Sequence, residues 1–334
     1  MKDRHMNVIR WGIIGCGDVT EVKSGPGFQK AENSALAAVM RRNGALAADY
    51  ARRHGVLKWY DDARKLILDP NVDAVYVATP PASHKEYALL AADAGKPAYV
   101  EKPMALNYQE SKEMVQYCDE RNVPLFVAYY RRAQHKFLTV RDILHAGEIG
   151  DVRFARIMLH RPPGEDELSG GPLPWRVIPE ISGGGHFVDL GSHTFDLVDF
   201  LCGPIAEVRG FAANQGGLYP AEDIVAGSWV CESGIHGTGV WCFTAGETVD
   251  EFTLVGSLGS VTFSVFGTEP IQVTSCVSAS VPQTREILYE IPEHVEQPLI
   301  QTIVDELLGK SGVCPSTGTS ALRTARVLDR IRMG

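Results

Sequence analysis

The sequence predicts an α/β protein in two parts: a doubly wound parallel sheet over residues 1–130, then an α+β domain with a large, mostly antiparallel sheet over 131–334. Three observations carry this. In the first third, short runs apolar on both faces alternate with helical stretches, the pattern of strands covered by helices on two sides. Beyond about residue 131, strand-like runs follow one another with only turns between them. The length, 334 residues, also exceeds what one ordinary core organises.

In order, the parallel strands are "VIRWGIIG" (8–15), "ALAAVMR" (35–41), "AVYVATP" (74–80), "PAYVEKP" (97–103) and "PLFVAYY" (124–130). Between them, "GALAADYARRHG", "SHKEYALLAADAG" and "YQESKEMVQYCDERN" have helical composition, with Ser83 as an N-cap and Gly95 as a stop. The second part reads "VRFARIML", "VRGFAAN", "IVAGSWVC", "IHGTGVWCF", "EFTLVG", "SVTFSVF", "IQVTSC" and "REILYEI", interrupted by helices at "FLTVRDILHAG" and after Gly185. A last helix over about 317–331 closes the chain and is expected to return to the first domain. There is no repeat and no Pro/Ser-rich linker, so the joint near 131 reads as packed.

Composition narrows the partners. Hydrophobic residues make up 45% and charged residues 22%, the balance of folded domains. A net charge of −9 without a Lys/Arg run argues against nucleic acid or an anionic membrane and for a small substrate. No run approaches the roughly 18 apolar residues of a membrane span, and the N-terminus has no signal-like stretch, so a cytoplasmic location is expected. "MKDRHM" before "NVIRWGIIG" could be foreign to the native chain. Seven scattered cysteines without C-x-x-C spacing read as reduced, buried thiols; Cys16, inside a glycine loop, is a candidate for oxidation.

Several short stretches carry chemistry. "GIIGCGDVT" places Gly15-x-Gly17 at the end of the first strand, opening a helix at Asp18 and Val19. Glycine allows a tight turn and close approach of a pyrophosphate to a helix N-terminus. Thr20 stands where a third glycine would ease helix–strand packing. The second strand ends "AVMRRN", so Arg41 and Arg42 take the place of the carboxylate that would accept the ribose 2′-hydroxyl of NAD. Two guanidinium forks suit a 2′-phosphate, which favours NADP, with NAD as the alternative. Glu101-Lys102-Pro103 follows a strand end on the ligand rim. "GGGHFVDLGSHTFD" (183–196) places Asp189 and His193 four apart, on one face if helical, with Asp196 extending the stripe. That stripe fits a divalent cation, an acid–base device or a buried helix equally well.

As a set, the G-x-G loop, "TPPASH" (79–84), "EKP", "WR" (175–176) and "GGGHFVDLGSH" occur in the order of the Gfo/Idh/MocA oxidoreductases, and the chain resembles that family over nearly its whole length. The resemblance implies a Rossmann domain plus an open-sheet domain. Lys102 matches the family's active-site lysine, and Asp189 and His193 its catalytic aspartate and histidine. Thr79, Pro80 and His84 match the segment lining the cofactor, Glu101 lies with them on that rim, and Trp175 and Arg176 match a pair contacting the nicotinamide end. The implied activity is hydride transfer between NAD(P) and a sugar, cyclitol or polyol-like substrate. His193 would accept the hydroxyl proton, Lys102 would stabilise the alkoxide, and Asp189 would orient the imidazole or bind a second hydroxyl. On this reading no metal is required.

Two other classes compete: a hydrolase or lyase using transient oxidation by a bound nicotinamide, and a non-catalytic NADP-binding regulator. His186, Asp196, Glu21 and Lys23 read as structural or surface groups, and Trp229 and Trp241 as sheet packing or an oligomer face. Tyr129, Tyr130, Arg131 and Arg132 fit a substrate role or the domain joint. A homodimer or homotetramer through the second sheet is expected, since nothing in the sequence covers its outer face.

Overall fold

The computed structural model describes residues 7–275, 282–310 and 312–333. The expected strand end at Cys276 and the opening "MKDRHM" lie outside the described residues. Two compact units emerge, drawn differently from a single cut at 130/131. The first comprises Met1–Ala105, Gln109–Gln134 and Pro292–Leu322; the second comprises Leu106–Tyr108, His135–Ile291 and Arg323–Gly334.

The first unit is built on a parallel sheet of six strands: β1 (Ile9–Ile14), β2 (Ser34–Met40), β3 (Lys58–Tyr60), β4 (Ala74–Val77), β5 (Ala98–Val100) and β6 (Leu125–Val127), in the order β3-β2-β1-β4-β5-β6. Strands β4, β5 and β6 are buried throughout, as strands covered on both faces must be. β3 was not expected: three residues, two of them exposed, leave no periodicity to read. The helix Gln297–Leu307 was also not expected, although Leu299, Ile300, Ile303 and Val304 recur at helical spacing and are all fully buried. On one side of the sheet Trp11, Phe28, Tyr76 and Tyr99 form an aromatic cluster, with Tyr76 and Tyr99 stacked at 4.9 Å.

Register decides where loops emerge. Ile14 pairs with Val77, Val77 with Val100, and Val100 with Val127. The chain therefore leaves β1, β4 and β5 at one level, at Gly15, Ala78 and Glu101. This is also where the strand order reverses, the place at which doubly wound sheets put their ligands.

Among the described residues, the second unit holds eight strands: β7 (Val152–His160), β8 (Ile205–Ala213), β9 (Ile224–Cys231), β10 (His236–Cys242), β11 (Val249–Gly256), β12 (Gly259–Phe263), β13 (Ile271–Ser275) and β14 (Gln283–Ile287). Their order is β14-β13-β12-β11-β7-β10-β9-β8, antiparallel except for the β7–β10 pair. Helices His135–His145 and Ser192–Cys202 supply Phe137, Val140, Phe195, Leu197 and Val198 to its core. Trp229 and Trp241 are buried there with Phe195, so they are sheet packing and not an oligomer face. Among the described residues, no helix is long and apolar enough to cross a membrane.

Candidate active site

The first-unit rim begins with the glycine loop. Gly15 has φ of +90°, and an added Cβ would lie 2.7 Å from Thr79 Cγ2 and 3.0 Å from the Thr79 amide nitrogen. Only glycine fits there. Gly17 differs: its backbone is extended and an added Cβ would meet only the Gly15 carbonyl oxygen, at 3.8 Å. Open space thus lies beside the first turn of Asp18–Val22, whose leading amides have no partner within the helix. The cradle fits a dinucleotide pyrophosphate.

The replacement of the third glycine by Thr20 loosens nothing. Thr20 is fully buried, and its hydroxyl accepts from the Gly17 amide at 3.0 Å and donates to the Gly17 carbonyl at 2.8 Å. The close-approach glycine is Gly25, where a Cβ would lie 2.1 Å from the Thr20 oxygen and 2.4 Å from the Tyr50 hydroxyl. Cys16 is fully buried and its thiol is pushed up to about 11 by burial, which corrects the expectation of a reactive thiol. Glu21 is not a bare surface group; hydrogen bonds from Arg53 and His54 hold its carboxyl down to about 2.

Arg41 and Arg42 directly follow β2 and are both exposed. Asn43 then caps the helix Gly44–Arg53, accepting from the amides of Ala45 and Leu46. This holds the two arginines at the strand end, where the ribose-binding carboxylate of an NAD site would sit.

At the next loop, the Ser83 hydroxyl donates to Thr79 Oγ1 at 2.8 Å. His84 is fully buried, with Nε2 2.6 Å from the Thr79 carbonyl and Nδ1 3.0 Å from the Pro103 carbonyl. Burial pushes its pKa below the usual histidine value. His84 therefore lies between the 79–84 loop and the Glu101–Pro103 loop with both ring nitrogens turned to backbone carbonyls, its single N–H donating to one of them. Glu101 is turned inward as well: Tyr76 donates to Oε1 at 2.6 Å and the Lys102 amide to Oε2 at 3.1 Å. Lys102, half-buried, follows a residue anchored in the core. Past β6, Arg131 and Arg132 are buried, and Arg132 donates to the Pro315 carbonyl at 3.2 Å.

In the second unit, the stretch after Gly185 is not one regular α-helix. Phe187–Gly191 winds as a wider π turn before the α-helix Ser192–Cys202 begins. The α-helical four-residue repeat expected to align Asp189 with His193 therefore does not run through this segment. Asp189 sits in the π turn, with Arg176 Nε 3.5 Å from its Oδ2. The Arg176 guanidinium lies 4.7 Å from the ring centroid of Trp175, so the "WR" pair and Asp189 form one group. His193 and Asp196 are buried on the α-helix, and the Phe266 ring meets the imidazole edge-on at 5.8 Å.

The three glycines have separate reasons. Gly183, at φ of +83°, ends the helix Pro179–Ser182. Gly184 and Gly185 admit close packing: a Cβ on Gly185 would lie 2.8 Å from both Ala221 Cβ and the Glu222 carbonyl oxygen. Next to them, buried His186 bonds through Nε2 to Glu167, whose other oxygen accepts from the Gly164 amide at 3.1 Å. Arg161 lies 3.2 Å from both ring nitrogens of His186. Burial pushes the His186 pKa down despite the Glu167 bond. Glu167 and Arg161 escaped sequence reasoning because their loop has no periodic code; the Gly164-x-x-Glu167 capping spacing was the one available signal.

The chain matches two family models, "Oxidoreductase family, NAD-binding Rossmann fold" over residues 9–129 and "GFO/IDH/MocA C-terminal domain" over residues 137–262. It is 39% identical to Oxidoreductase P35 of Formosa agariphila, over 95% of this chain and 96% of that protein. Against 1,5-anhydro-D-fructose reductase of Ensifer adhaerens, identity is 30% over 75% and 74% of the two chains. Levoglucosan dehydrogenase, solved with NADH and levoglucosan, superposes with a TM-score of 0.84 over 97% of this chain and 96% of that one, at 24% identity.

Proposed function

Because the chain belongs to the Gfo/Idh/MocA family of NAD-binding oxidoreductases, we propose that it transfers hydride between a dinucleotide and a sugar, cyclitol or polyol-like substrate. NADP is the preferred cofactor. One observation carries the reading: the glycine loop, the 79–84 loop and Glu101-Lys102 leave three adjacent parallel strands at one level. The relatives' names, a sugar reductase and a sugar dehydrogenase, support the substrate class.

The first-turn amides at Asp18 and Val19 hold the pyrophosphate, with Gly17 allowing its approach. Arg41 and Arg42 bind the 2′-phosphate, and Thr79 and Pro80 line the dinucleotide. When bound, the nicotinamide supplies the hydride acceptor or donor. His193 takes the proton from the substrate hydroxyl during oxidation and returns it during reduction, while the Lys102 ammonium stabilises the alkoxide. Asp189, paired with Arg176, orients the imidazole or binds a second hydroxyl.

A panel of sugars, cyclitols and polyols assayed by nicotinamide absorbance with NADP and NAD tests this directly. Lys102→Ala and His193→Ala should each lower turnover on the order of 10²–10⁴-fold while NADPH binding, read by fluorescence, persists. Full activity in either variant overturns its assignment.

A further inference from the structure

Behind the Glu101-Lys102 loop lies a second carboxyl that the proposed chemistry does not use. Glu296 is 1% exposed, although it precedes a helix and lies 195 residues along the chain from Glu101. Its Oε2 accepts from the Tyr99 hydroxyl at 3.1 Å and faces the Tyr76 hydroxyl at 3.4 Å. Tyr76 in turn donates to Glu101 Oε1 at 2.6 Å, and Glu101 Oε2 accepts the Lys102 amide. The Tyr76 hydroxyl thus stands between the two carboxyl groups, and Glu296 Oε1 is buried without a donor among the described residues. Phe28 and Trp11 close the aromatic side of the cluster.

Two ionised carboxylates cannot share so dry a space without strong mutual repulsion. We propose that Glu101 and Glu296 share one proton, and that Glu296 in its acid form is a positioning residue for Lys102. Its hydroxyl donates to the Glu101 carboxylate, and that carboxylate holds the backbone amide of Lys102. The positioning half rests on the proposed role of Lys102; the shared proton does not.

The groups facing Glu296 are Glu101, Tyr76 on β4, Tyr99 on β5 and Lys23 beyond the first helix, with Cys314 next to Tyr99 and His84 beside Glu101. Burial and Glu101 push Glu296 well above the usual carboxyl range, outweighing the Tyr99 hydrogen bond and Lys23. A helix N-terminus also favours the anion, but it acts on an exposed charge far more than on one that must leave water beside another carboxylate.

Infrared spectra of the full chain with ¹³C-labelled glutamate test the proton directly. At neutral pH a protonated-carboxyl C=O band should be present in the wild type and absent in Glu296→Gln. Kinetics with NADP and the best substrate of the panel test the positioning. Glu296→Gln, an uncharged isostere of the acid, should keep kcat within about threefold, whereas Glu296→Ala should lose about tenfold or more in kcat with KM little changed, an effect of roughly one lost buried hydrogen bond. The shared proton is overturned if Glu296→Gln leaves the band intact. The positioning is overturned if Glu296→Ala keeps wild-type kcat or if Glu296→Gln is as impaired as Glu296→Ala. An active Lys102→Ala with the band still dependent on Glu296 would overturn the role of Lys102 and leave the proton pair standing.

Discussion

Arg176 and Asp189 form an ion pair, Nε to Oδ2 at 3.5 Å, that joins the "WR" segment to the π turn. Arg176 is half exposed, and exposed pairs contribute only about 0–1 kcal/mol to stability. Arg176→Ala should therefore melt close to wild type. If the proposed role of Asp189 holds, the variant's kcat/KM should fall by about tenfold or more, the worth of one charge-assisted contact of ~1.4 kcal/mol or greater. Thermal melts beside steady-state kinetics check this; a large fall in melting temperature would make the pair structural.

Gly15 and Gly17 should separate folding from binding. Gly15→Ala combines a left-handed backbone with contacts at 2.7 Å and 3.0 Å on Thr79, strain on the order of 1–3 kcal/mol, and should lower both melting temperature and dinucleotide affinity. Gly17→Ala meets nothing closer than 3.8 Å and should melt like wild type while weakening NADPH binding. Melts and fluorescence titrations distinguish the two.

The arginines after β2 decide cofactor choice if the proposed NADP preference holds. Replacing Arg41 and Arg42 together by Ala should weaken NADP by about 10–100-fold, the worth of one or two charge-assisted hydrogen bonds, and leave NAD nearly unchanged. Equal losses for both cofactors would contradict the preference.

Stability should fall in acid through buried imidazoles. His84 and His186 have pKa values lowered by burial, so the unfolded chain takes up protons more readily than the folded one. Their contribution is fully present above about pH 6.5, the ordinary histidine value, and is lost as pH drops below it. Glu21, held down to about 2, adds a second loss as pH falls below 4.5. Melting temperature measured from pH 7 to 5 should decline in the wild type and decline less in His186→Gln, which keeps a donor for Glu167.

Gly185→Ala tests the close packing after the glycine run. With contacts of 2.8 Å to Ala221 and Glu222, the variant should lose about 1–3 kcal/mol of stability. A denaturant melt unchanged from wild type would show that the neighbouring chain yields freely.

Much of the fold was legible: β1, β2, β4, β5 and β6 stand out as apolar runs between helical stretches, and the strands of the second sheet, from alternating β7 to mostly exposed β14, as successive strand-like runs parted only by turns. β3 could not, being short and half exposed, and the helix Gln297–Leu307 was overlooked despite its helical spacing. At the candidate site, the glycine loop could be found from local order, whereas Lys102 is singled out only by the family resemblance. His84 could be located but not understood, since its two carbonyl partners belong to different loops.

The sequence by itself determined the succession of most strands and of the longer helices of the first domain, the oxidoreductase family and the residue types on the rim, because these depend on short-range periodicity and motif spacing. Only the tertiary structure decided that a close-approach glycine is Gly25, that Asp189 lies in a π turn beside Arg176, and that the Tyr76 hydroxyl stands between Glu101 and Glu296. Glu296 is 220 residues from Tyr76. No local pattern encodes such a meeting; strand register and the return of the chain to the first unit create it.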